Sequence, residues 1–177
     1  MAFKLEAVVH ATDCDMGEDC SCGANERAMR QPRRVEFTVV GVSQPQGSTK
    51  AFIRPGMKFP VVTSDNAKLK GWRAQVAWAA SKEARRHGLI DRAVPVRLMA
   101  AYFLARPKSL GKKVGVPHVT KPDIDKLTRA IGDALTGILY ADDSQITELK
   151  VTKAYAAVGE APHVVIVVQP LTVSQPK

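Results

Sequence analysis

Lys121 to Gln145 reads KPDIDKLTRAIGDALTGILYADDSQ, with five aspartates inside a chain whose formal net charge is +9. Ile124, Leu127, Ile131, Ala134, Leu135 and Ile138 recur at helical intervals. At about 100° per residue they fall on one stripe, the expected buried face of a helix. Asp125, Arg129 and Asp133 are spaced four apart and share the opposite face, where an i,i+4 arrangement of arginine between two carboxylates would support the helix. The spacing predicts a helix from about Pro122 to Thr136. Proline suits its first position, and Gly137 supplies its C-terminal stop.

Asp123 lies two residues from Asp125, a spacing that turns side chains apart in a regular helix, so the two converge only if Asp123 sits at or before the first turn. Asp142 and Asp143 follow in a short connection, where adjacent side chains point apart and one of the pair is expected to face any bound metal. The chemistry this suggests is magnesium meeting a polyanion. Magnesium prefers carboxylate oxygens and usually takes one or two of them together with substrate phosphates. Bare aspartates repel a phosphodiester, whereas a bound cation inverts the local sign and can activate a water.

Each aspartate also has a structural reading. Thr120 and Asp123 have the spacing of a capping box, and an acid in a helix's first turn is an ordinary dipole partner. Asp125 and Asp133 fit a solvated helix face, and Asp142 and Asp143 fit a turn. Asp133 is read as structural.

KPDIDKLTRAIGDALTG followed by DDSQI resembles the signature of the RusA-like Holliday junction resolvases, which runs Pro-Asp-x-Asp-Asn-Leu-x-Lys, then Asp-Ala-Leu, then Asp-Asp-x-Gln. A weaker resemblance in element order extends from roughly residue 35 to 170 and leaves out the first 30 or so residues. The resemblance implies that Asp123, Asp125 and Asp143 are catalytic, magnesium-binding carboxylates with Asp142 beside them, manganese being an alternative metal. It further implies a homodimer acting on branched DNA, the four-way junction. Arg129 stands where the family usually has a catalytic lysine, and Lys126 where it usually has asparagine. Arginine keeps the charge and can grip a phosphate bidentately, but it does not lose a proton near neutral pH, which tells against proton transfer there.

Length and charge agree with a nucleic-acid enzyme without proving one. At 177 residues with 45% hydrophobic content, one domain with a sizeable core is expected. Residues 1–26 hold six acids against Lys4 alone, a net of −5 within the total of +9, so residues 27–177 carry +14. A body that basic suits phosphate binding. No apolar run reaches the roughly 20 residues that span a bilayer, and no secretory core is evident, so no membrane partner and a cytoplasmic location are expected.

Residues 1–30 are read as an acidic, flexible extension, 31–172 as the endonuclease domain, and 173–177 as a frayed end. Cys14, Cys20 and Cys22 lie in the extension. With His10 they offer four zinc donors, but Cys-x-Cys is not the common knuckle spacing, and a flexible segment is the simpler reading.

Strands are expected at 35–42, 95–105, 146–156 and 163–168, with a helix over 66–87 whose apolar side holds Leu69, Trp72, Val76 and Ala80. The order implies an α+β fold, a small mostly antiparallel or mixed sheet with helices on one face. Residues 43–56 read as a Gly/Pro-punctuated loop carrying Lys50 and Arg54. A second basic loop, RPKSLGKKVGVPHVTK, leads into the aspartate helix with Lys112, Lys113 and Lys121. Together with Lys126 these are the candidate DNA contacts, and solvated surface charge is their bland alternative. His118 is the loop's one candidate for metal or phosphate, a role that lone loop histidines seldom fill. Three functions fit: a magnesium-dependent junction resolvase, a nuclease of flaps or forks, or a non-catalytic branched-DNA-binding module with structural aspartates.

Overall fold

The computed structural model describes residues 34–172 apart from Ser48, Arg54 and Asp65, with backbone alone for 49–52 and 61–64. The extension at 1–30 with its cysteines, the end at 173–177, Arg54 and the side chain of Lys50 lie outside the described residues.

Strand β4, Val96–Leu104, organises the fold. Its even residues Val96, Leu98, Ala100, Tyr102 and Leu104 are all buried, the period-2 pattern of a strand with one face on a core. On one side it pairs antiparallel with β6, His163–Pro170, setting Leu98, Ala100 and Tyr102 against Val168, Ile166 and Val164. Strand β1, Val35–Val40, pairs antiparallel with the far edge of β6. On its other side β4 pairs parallel with β5, Ile146–Tyr155, giving a mixed sheet of order β1-β6-β4-β5. This is the α+β arrangement expected.

A parallel neighbour needs a crossover, and the chain between β4 and β5 supplies one containing helix α2, Ile124–Leu135. Helix α1, Leu69–His87, buries Leu69, Trp72, Val76 and Ala80, the four residues its pattern selects. Both helices contribute to the core over the even face of β4. α2 is the more deeply enclosed, with Leu127, Ala130, Ile131 and Leu135 fully buried.

Residues 43–56 are not all loop. Thr49–Phe52 forms β2 and pairs antiparallel with β3, Val61–Ser64, in a separate two-stranded sheet. Two four-residue strands around a Gly/Pro-rich turn leave little periodicity to read, and the β-branched Val61, Val62 and Thr63 were their main signal.

Candidate active site

α2 starts two residues later than its sequence suggests. Lys153 on β5 donates from its ammonium to the carbonyls of Thr120 (2.8 Å) and Pro122 (2.9 Å). The Pro122 carbonyl is thus held by a side chain, and the first helical bond runs from the Leu127 N–H to the Asp123 carbonyl. Asp123 is therefore the N-cap, with extended backbone and no side-chain capping bond. The Thr120–Asp123 capping box does not form, because Thr120 lies three residues before the true N-cap. His118 is buried in the approach to α2 and packs on Tyr155, with ring centroids 4.4 Å apart. Two side chains of β5 thus hold the segment entering the helix.

The Asp125, Arg129 and Asp133 face is exposed as expected, but the ion-pair ladder along it is absent among the described residues. Asp133 pairs instead with Arg73 of α1, which also donates to Gln46 (2.6 Å). The packing of α1 against α2 supplies a nearer, better-shielded cation than Arg129. Asp133 is structural, tying one helix to the other.

The aspartate pair divides its labour. Asp142 caps a short 3-10 turn at Asp143–Gln145, its carboxylate accepting from the Ser144 N–H at 3.0 Å, and hydrogen bonding from Ser144, its side chain first and its backbone second, holds the Asp142 pKa below the usual carboxylate value. The Gln145 side chain is buried and uses all four of its hydrogen-bonding positions. Its Oε1 accepts from the N–H groups of Ala141 (2.8 Å) and Asp142 (3.0 Å), and its Nε2 donates to the carbonyls of Asp91 (2.8 Å) and Val94 (3.0 Å). The turn is thereby bolted to the chain entering β4, and Asp143 is left free.

Asp125, Arg129 and Asp143 line one cleft between α2 and β5, of about 420 Å3. All three are exposed, and among the described residues no hydrogen bond or ion pair engages their charged groups. Burial first, and then the charges of Asp143 and Asp133, push the Tyr140 hydroxyl well above its ordinary pKa. Asp123 lines a neighbouring hollow of about 440 Å3 with Lys121, Lys126, residues 42–45 and Gly47. Its carboxylate pairs with the Lys126 ammonium at 3.1 Å, and Lys126 chiefly, then Lys121 and Lys153, holds its pKa below the usual value. The structure thus brings two of the four predicted metal carboxylates to one cleft. Among the described residues no three acids, histidines or cysteines stand together as a ready-made cage.

A family model described as endodeoxyribonuclease RusA matches residues 43–169, about seven-tenths of the chain. The chain belongs to the RusA endodeoxyribonuclease family. RusA membership covers every element from β2 to β6 together with all the carboxylates just described. A protein of Bacillus subtilis (strain 168), YqaN, described as uncharacterized, is 33% identical over 144 residues, covering 76% of this chain and 95% of that protein.

Around this candidate site the predicted basic residues fall in two groups. Lys112, Lys113 and Lys121 are exposed in the loop before α2, and none takes part in an ion pair among the described residues. Arg106 is not a free cation of that loop. Its guanidinium donates to the carbonyls of Gly111 (3.0 Å) and Lys113 and fixes the loop's shape. Lys126 is engaged by Asp123. Among the described residues no helix is long and apolar enough to cross a membrane. Lys153 and Gln145 are the supporting residues that sequence reasoning gave no role. Gln145 had a signal, since it belongs to the DDSQ stretch, whereas Lys153 is one lysine among many in a strand.

Proposed function

We propose that this protein is a magnesium-dependent, structure-selective endonuclease that resolves four-way DNA junctions by paired nicks, working as a homodimer whose two-fold symmetry presents one site to each of two opposed strands. The observation that carries the reading is the cleft in which Asp125, Arg129 and Asp143 stand exposed and, among the described residues, unpartnered, in a chain of the RusA family. The neighbouring Asp133 and Asp142, by contrast, are engaged by Arg73 and by the Ser144 N–H.

Two carboxylates with room for phosphate oxygens are the donor set that magnesium takes, and manganese shares the preference for oxygen. Asp125 and Asp143 would hold the ion, with Asp123 as a flanking carboxylate and Asp142 orienting its neighbour. When bound there, magnesium would supply positive charge for the phosphodiester and lower the pKa of a water. Arg129 donates to the non-bridging phosphate oxygens as negative charge grows on them, and being fixed in its protonation it acts as a clamp rather than a proton carrier. Lys112, Lys113, Lys121 and Lys126, with Lys50 and Arg54, are assigned to the DNA backbone. Lys112, Lys113 and Lys121, exposed and without an ion pair among the described residues, are free to displace counterions.

The test is cleavage of labelled four-way junctions with and without magnesium by the wild type and by Asp125→Asn, Asp143→Asn and Asp123→Asn, with binding measured in parallel. Loss of cleavage with binding retained is expected for each. Binding without cleavage by the wild type under every metal condition would instead identify a non-catalytic DNA-binding module. Preferential cutting of flaps or forks would change the substrate and leave the site intact.

A further inference from the structure

The cleft is larger and more apolar than phosphate chemistry needs. Beyond the three charged groups and Thr128 its side-chain walls are Leu98, Ile124, Ile146, Leu149 and Val151, and Leu149 is 54% exposed although it stands on the helix-bearing side of the sheet. Gly132 sits mid-helix on the same wall. A Cβ built there meets nothing within 4 Å, and its backbone is not in the left-handed region that demands glycine. Glycine inside a helix is less stable than alanine. Neither close packing nor backbone geometry accounts for it here, and its effect is to keep the cleft open.

We propose that this cleft is a nucleotide subsite, taking one nucleobase that has left the stack beside the cleaved phosphodiester. The proposal rests on the nuclease reading above. Arg129 at the rim, without a partner among the described residues, is complementary to the phosphate of the same nucleotide. The volume lies in the lower part of the range of about 300–1,000 Å3 typical of small-ligand pockets, suited to one flat base. Unstacking costs least where pairing is already disturbed, so a base-sized pocket beside the cut favours branch points over intact duplex. Selection of branched DNA would then come partly from the pocket and not only from the basic surface.

The experiment places 2-aminopurine on the 5′ and then the 3′ side of the mapped cut in a four-way junction, bound by the full chain in EDTA. This base brightens when it leaves its stacked neighbours, and the cleft wall holds no aromatic ring to quench it. Brightening at one of the two positions is expected with the wild type. It should be lost in Gly132→Leu, which fills the cleft, and in Leu149→Gln, which makes an already exposed wall polar. Both variants should lose about tenfold or more in cleavage at limiting junction, a 1.4 kcal/mol effect, with smaller losses at saturating DNA. Gly132→Ala guards against misfolding, since it favours the helix while narrowing the cleft, and it should fall between wild type and Gly132→Leu. No brightening by a wild type that cuts junctions overturns the subsite alone, as does brightening at the full wild-type level in folded Gly132→Ala and Leu149→Gln. A change of oligomeric state in these variants reassigns the cleft to a second copy of the chain and also overturns it. A wild type that cuts no branched DNA overturns the nuclease reading and the subsite together.

Discussion

Gln145→Glu is the sharpest probe of how the fold presents Asp143, because it changes one buried atom and no shape. The side chain makes four hydrogen bonds at 2.8–3.0 Å that join residues 141–142 to 91–94. Glutamate keeps the oxygen that accepts from the Ala141 and Asp142 N–H groups, but it sets a second oxygen against the carbonyls of Asp91 and Val94. Two hydrogen bonds are lost at about 1 kcal/mol each, and leaving those carbonyls facing a carboxylate adds desolvation and repulsion, for a total of about 3–4 kcal/mol at neutral pH. That is a large part of the roughly 5–15 kcal/mol that holds a domain together. The penalty should depend on pH. Burial among carbonyls raises the folded-state pKa of the introduced carboxyl above its unfolded value, so protonation relieves the loss below the unfolded pKa and the loss returns as pH rises through the folded one. Urea unfolding of Gln145→Glu at pH 4.5 and pH 7.5, with Gln145→Ala as a variant of similar cost but no such pH dependence, measures both effects. A Gln145→Glu protein within about 1 kcal/mol of wild type at pH 7.5, or with a gap that does not shrink at low pH, refutes the reasoning.

Arg73→Ala and Asp133→Asn should each cost about 1 kcal/mol, with a favourable coupling in the double-mutant cycle and junction cleavage kept, since their half-buried ion pair joins α1 to α2 and lies outside the cleft; loss of cleavage at full stability would place Asp133 in the chemistry. Asp142→Ala should lower stability through loss of a cap, whereas Asp143→Asn should leave stability nearly unchanged and stop cleavage. Both are read by unfolding and by a cleavage assay, and the reverse pattern would exchange the two roles. Lys126→Ala should raise the pKa of the Asp123 carboxyl towards its ordinary value, followed by NMR titration of the metal-free protein; an unmoved titration would mean that Lys121 and Lys153 suffice. Arg129→Ala should reduce cleavage by about 10²-fold or more, the scale of removing one electrostatic stabiliser, and Arg129→Lys should recover much of it if charge alone matters. Full activity in Arg129→Ala would remove that residue from the site.

The sequence by itself determined whatever depends on near neighbours along the chain. The apolar spacing of Leu127, Ile131, Ala134 and Leu135 fixed both the helix and its buried face, and the β-branched alternation placed the four strands of the main sheet to within a few residues. Gly137, with φ of 75°, ends α2 where expected. These features follow from backbone period and local sterics, which a short window of residues contains. Other choices lay between residues far apart in sequence, and only the tertiary structure made them. Asp133 chose Arg73, sixty positions away, over Arg129 four away, because helix packing brought a better-shielded cation to it. Asp142 and Asp143 are alike as a dipeptide. They became a cap and a cleft carboxylate because Gln145 locks the turn against residues 91–94. Lys153 moved the start of α2 by holding two carbonyls from a strand that follows the helix in the chain. The cleft beside Gly132 exists only where α2 and β5 meet, so no window of sequence contains it. Charge partners and open space are properties of distance in the folded chain, and distance between remote residues is what folding itself decides.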